Sequence, residues 1–312
     1  MELLQQTGMP QKNSDVPAWI ASCTGSGRTV GACFSTALSS LPIRDAVDLD
    51  ATIISALPII GGWCHGPTHE LGQRAYRELR DPYAAVSAGS DVCEDGFYHG
   101  VFEAWGAAVG SEGIQKGPDL CARITATLSK SICAHGFGHA LWFATHDVKE
   151  SIMACRALPK DDLHGCVGGV TMSFVQGDDV SFASPEEVLK FCQEYPDDVR
   201  DGCITETPGL LLRVLGTPQK VLLACPTLEP IKGVRRCLSG TGMQLPFAVN
   251  LRFDEVRSAC GSSLHPESCF FGAVKHLQRR SSSEANKLVQ QICDYSPISC
   301  TKEEPGLADG LD

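Results

Sequence analysis

The sequence predicts an all-α protein, a superhelical solenoid of α/α-hairpin repeats with a disulfide inside each repeat. Three observations carry that expectation: cysteines in closely spaced pairs, a steady period between the pairs, and helix-start signals ahead of them. Of the 16 cysteines, all but Cys64 and Cys93 fall as neighbours along the chain, as Cys23/Cys33, Cys121/Cys133, Cys155/Cys166, Cys192/Cys203, Cys225/Cys237, Cys260/Cys269 and Cys293/Cys300. So regular an even set reads as a disulfide framework made in an oxidising compartment. No CxxC occurs, which weakens zinc-ribbon and thioredoxin-type readings.

Taken in order, residues 1–22 read as a mobile N-terminal segment and 23–33 as a disulfide-closed loop. The "GSGRTVG" within that loop lacks the lysine and the spacing of a phosphate loop. Further on, the first members of the pairs at 121, 155, 192, 225, 260 and 293 step by 34, 37, 33, 35 and 33 residues. That period is the length of a helix–turn–helix repeat. "DLCARITATLSKSIC" keeps Leu120, Ile124, Leu128 and Ile132 at helical spacing. In "SPEEVLKFC" Ser184 is the expected N-cap and Pro185 the first helical residue, with two early glutamates suited to the helix dipole. "TPQKVLLAC" repeats the arrangement with Thr217 and Pro218, and Ser281 to Glu284 reads as a capping box.

After each second cysteine a glycine follows within a few residues, and then a second helix, as in "CFFGAVKHL" and "CVGGVTMSFV". A bridge would clamp the two helices of a hairpin, and closing a loop of about ten residues stabilises by roughly 2–3 kcal/mol. In "DPYAAVSAGSDVC" Tyr83 stands where a first cysteine is due, so Cys93 and Cys64 are left over, and a bridge between them is expected. Over roughly residues 60–300, cysteine placement and period resemble the disulfide-bonded α/α-repeats of Sel1-like proteins, a likeness that implies a fold and no function.

Aligned on the second helix of each hairpin, four segments read "HGPTHELG", "HGVFEAWG", "HGFGHALW" and "HGCVGGVT". His65, His99, His135 and His164 recur with a following glycine, and four residues on stand His69, Glu103, His139 and Gly168. Residues four apart share a helix face, and stacked helices lie 8–10 Å apart, so imidazoles from neighbouring hairpins can meet. The later helix starts, "GCITET", "RCLSGT" and "SCFFGA", keep the cysteines and drop the histidines. The scaffold therefore does not need them, which points to a site. The expected metal ligands are His65, His69, His99, Glu103, His135, His139 and His164, with His146 on roughly the same face as His139.

A histidine-dominated set suits copper, iron or zinc rather than calcium or magnesium, and the number of candidates suggests one or two ions. Paired histidines at this spacing resemble type 3 copper proteins locally, and nothing else in the chain matches them. The expectation is a secreted or periplasmic oxidoreductase acting on a small molecule with copper or iron. A zinc hydrolase is the alternative, with Glu103 or Glu70 as catalytic base, although "HGPTHE" is not HExxH. A third reading is a non-catalytic binding module, with a protein partner on the C-terminal repeats.

Residues 23–180 thus hold the His-rich repeats, 181–300 continue the array without them, and 301–312 form an acidic tail. The net charge of −11 and the lack of a basic cluster argue against nucleic acid. No apolar run reaches the ~18 residues of a membrane span. The start lacks the order of a signal peptide, which leaves a cytosolic start at Met1 or a targeting segment already removed, and the cysteines favour the second.

Overall fold

The computed structural model describes residues 65–301, apart from 90–92, 94, 125–129, 177–181, 183, 229–230, 249–251 and 279–282. The Cys23/Cys33 loop, Cys64, the capping residue Ser281 and the acidic tail lie outside the described residues. All regular structure among those described is helical, and none of the helices is long and apolar enough to cross a membrane.

The chain divides into two compact units at Leu158/Pro159. The first contains α1 (His65–Leu79), α2 (Pro82–Ser87), α3 (Gly96–Gly113), α4 (Gly117–Ile124), α5 (Lys130–Thr145) and α6 (Val148–Ala154). Long helices alternate with short ones, and each long helix packs beside the next, α1 on α3 and α3 on α5. The second contains α7 (Lys160–Gln176), α8 (Pro185–Gln193), α9 (Asp197–Leu215), α10 (Pro218–Ala224), α11 (Ile231–Ala248), α12 (Phe253–Gly261), α13 (Pro266–Leu277) and α14 (Ser283–Tyr295). There α7, α9, α11 and α13 form a corresponding series of neighbours.

The short helices start where their capping side chains place them. Asp81 accepts from the Tyr83 amide at α2, Asp147 from Glu150 at α6, Ser184 from Glu187 at α8 and Thr217 from Lys220 at α10. Each of these caps satisfies an amide that has no partner inside its helix. The bridges expected from the spacing form at Cys121–Cys133, Cys192–Cys203, Cys225–Cys237, Cys260–Cys269 and Cys293–Cys300. Cys93, Cys155 and Cys166 are disulfide-bonded as well. Tyr83, standing at a cysteine position, instead carries the Arg123 guanidinium over its ring at 5.5 Å, which ties α2 to α4 by a cation–π contact.

The core of the first unit is made by Phe97 and Phe102 of α3, Phe137 and Leu141 of α5, and Ile124 and Ile152, all at most 2% exposed. Where the long helices face one another, glycine removes the side chain between them. A Cβ on Gly72 of α1 would fall on the Phe97 carbonyl of α3, and one on Gly100 of α3 on the His69 carbonyl of α1. Gly106 of α3 meets the Ala140 carbonyl of α5 in the same way. The second unit repeats the device, with Gly242 against Cys269 and Gly272 against Ser239.

Gly100→Ala must force α1 and α3 apart. Overpacking of this kind costs about 1–3 kcal/mol, so the thermal midpoint should fall by several degrees. Gly66, which has open space where a Cβ would go, is the control. Gly66→Ala should leave the midpoint unchanged or raise it, and both variants are read by circular-dichroism melts.

Candidate metal centre

Five histidines from α1, α3 and α5 meet within the first unit. His65 and His69 stand one turn apart on α1, as do His135 and His139 on α5, and His99 projects from α3 between them. The His99 ring centroid lies 5.2 Å from both His65 and His69, 4.9 Å from His135 and 4.4 Å from His139. Their ligand-capable nitrogens form two groups of three, His65/His69/His99 and His99/His135/His139, each with its atoms within 4.8 Å of one another. The histidine register read along α1, α3 and α5 is therefore the register in which the rings meet.

Hydrogen bonds fix how two of these rings are turned. His65 Nδ1 lies 2.9 Å from the Cys93 carbonyl, which can only accept, so this nitrogen carries the proton. His69 Nδ1 lies 2.8 Å from Glu103 Oε1 and donates to it. In the neutral rings both Nε2 atoms are then lone pairs, yet they face each other at 3.0 Å. Two acceptors do not hold that contact by themselves; a shared proton or cation between them does. Two imidazoles on one tetrahedral ion, with metal–nitrogen bonds of about 2.0–2.1 Å, stand about 3.3 Å apart. The separation found suits a shared proton and falls about 0.3 Å short of what one ion would impose.

Glu103 is 5% exposed and belongs to neither group of three. Its Oε1 takes the His69 proton and lies 3.5 Å from His139 Nδ1, while Gln73 donates to Oε2 at 2.8 Å. Burial pushes its carboxyl up, but the hydrogen bonds and charges of His139 and His69 outweigh that and hold it far below the usual carboxylate range. Sequence placed Glu103 in the ligand register. Here its Oε1 lies on the Nδ1 side of two candidate ligands, His69 and His139, the kind of contact by which a carboxylate can turn an imidazole and raise its basicity.

His99 and His139 are fully enclosed. Burial lowers the pKa of both, and the neighbouring imidazoles lower that of His99 further, well below the ordinary histidine range. For His139 the carboxylate of Glu103 opposes the effect without cancelling it. Both rings are held neutral, the form that ligates metals. His99 Nδ1 is buried and has no hydrogen-bond partner, an expensive state for a polar atom.

The remaining expected residues belong to neither group of three. Glu70 follows His69 but is exposed. His146 lies beyond the end of α5 with φ 54°, exposed and packed on Trp142 at 6.0 Å. His164 is on α7 in the second unit, exposed, with Arg236, Asp201 and Lys232 as its charged surroundings. Although its "HG" copies the motif, His164 precedes Cys166 by two residues where His135 follows Cys133 by two, a displacement of one helical turn. Gln73, the Cys93 carbonyl, Gly72 and Gly106 are not among the residues that the sequence pattern marks. Gln73 had a signal, since it extends the His65–His69 spacing of four. Gly72 and Gly106 each lie seven residues after a first histidine.

A comparison with protein-family models, curated proteins and solved structures finds no match for this chain.

The depressed pKa values give the metal-free protein a definite pH dependence. An unfolded histidine takes up its proton near pH 6.5, whereas folded His99 and His139 resist protonation. Below about pH 6.5 the unfolded chain therefore binds more protons than the native one. Stability should be full above that value and decline as the pH falls, and Glu103 should add to the loss only in more acid solution. Chemical denaturation at pH 7.5 and 5.5 is expected to give the lower midpoint at 5.5.

Proposed function

We propose that the chain is a metalloprotein of an extracellular or periplasmic compartment, with His65, His69, His99, His135 and His139 holding a transition metal for redox chemistry on a small molecule. The observation that carries this reading is the gathering of their ligand-capable nitrogens into two groups of three, each with its atoms within 4.8 Å of one another. The disulfides support the oxidising compartment. The alternation of long and short helices supports an α/α-hairpin solenoid as the scaffold.

An all-imidazole donor set suits copper, iron and zinc, and copper stands highest among them in intrinsic affinity. When bound, copper or iron supplies one-electron redox capacity. The protein holds His99 and His139 neutral by burying them and fixes the Nδ1 side of His65 and His69. Zinc-dependent hydrolysis needs a base beside the ion-bound water. Glu103 has both oxygens engaged and Glu70 is exposed, which favours redox chemistry over hydrolysis.

Protein made in an oxidising compartment should carry copper or iron in amounts comparable to the chain, with a visible absorption band. His69→Ala and His139→Ala should each lose half or more of that metal while keeping the helical circular-dichroism spectrum. A protein that holds no metal, and takes up neither Cu(II) nor Zn(II) in calorimetric titration, overturns the proposal. Glu103→Gln keeps every ligand and should weaken metal affinity 10–100-fold, as read by competition with a chelator.

A further inference from the structure

The geometry points to a dinuclear centre in which His99 is an imidazolate bridge, one ring nitrogen bonding an ion held by His65 and His69, the other an ion held by His135 and His139. The inference rests on the metal reading above and adds the number of ions and the ligand that joins them.

Three observations support it. The ligand-capable nitrogens do not gather into one group of five. They form two groups of three that have His99 alone in common, and no larger group occurs among the described residues. A histidine can serve two ions only through its two ring nitrogens. Next, His99 is the ring with a close neighbour on both sides, within 5.2 Å of all four others. Last, its Nδ1 is not assigned to an acceptor. His65 Nδ1 is bonded to a carbonyl and His69 Nδ1 to a carboxylate, whereas His99 Nδ1 is buried without a hydrogen-bond partner. A second metal–nitrogen bond satisfies that atom.

Each ion then has three protein nitrogens and an open position, the pattern of reactive rather than structural metal sites. With metal–nitrogen bonds of about 2 Å on either side of the ring, the ions stand about 6 Å apart. The protons balance: bonds form at Nδ1 and Nε2, the single ring N–H proton of His99 passes to solvent, and binding of the second ion releases it.

The test is titration of the full metal-free chain with Cu(II) at neutral pH, following uptake by elemental analysis and unpaired spins by electron paramagnetic resonance. The expected result is two ions per chain, with a signal that grows to one equivalent and then falls as the bridge couples the two spins. His99→Gln should abolish the coupling, and His135→Ala should reduce the capacity to one ion. One ion per chain, unchanged by His135→Ala, overturns the bridge and leaves the metal reading standing, as do two ions with full uncoupled spin. No uptake at all overturns the metal reading itself. If His99→Gln does not fold, spin quantification of the unmodified chain decides the matter alone.

Discussion

Helices α1 and α3 touch backbone to backbone, Gly72 against Phe97 and Gly100 against His69, and α3 meets α5 at Gly106 and Ala140. Helices with ordinary side chains between them stand 8–10 Å apart. Removing those side chains brings three helix starts near enough for short imidazole side chains to span the gaps. The same approach recurs in the second unit, at Gly242 against Cys269 and Gly272 against Ser239, where no group of three candidate ligands gathers among the described residues. Close contact is thus a property of the scaffold, and the imidazoles are an addition to one part of it.

Once gathered, the rings impose an electrostatic order on one another. Burial makes a charged His99 unfavourable, and each neighbouring imidazole that takes a proton makes it more so. Glu103 supplies a buried negative charge beside these rings and is shared by His69 and His139, one from each flanking helix. It stabilises a proton on the Nδ1 side of those rings, away from the face where their remaining lone pairs collect. Protons and metal ions compete for imidazole nitrogen, and this arrangement tilts the competition towards metal.

Much of this was legible in the sequence because it is local. Ser184, Thr217 and the prolines after them start helices by contacts within one turn, and paired cysteines close loops of about ten residues, so spacing predicts both. The histidine ladder was legible at α1, α3 and α5 because spacing of four means a shared face. It was not legible at His164, where the same two letters stand one turn earlier relative to the hairpin cysteine. The contacts of Glu103 lay beyond the sequence for a different reason. A carboxylate in the ladder register can face an ion or stand behind the ring that does, and only the rotation of His69 and His139 distinguishes the two.

His65 depends on a carbonyl that belongs to Cys93, a disulfide-bonded residue held at φ 67°. Non-glycine residues adopt that left-handed conformation only when their surroundings enforce it, and here a covalent link does part of the enforcing. In the proposed centre, maturation therefore has an order. Thiol oxidation comes first and metal loading second, since a newly made chain that is still reduced has not yet secured the acceptor that aims its first ligand.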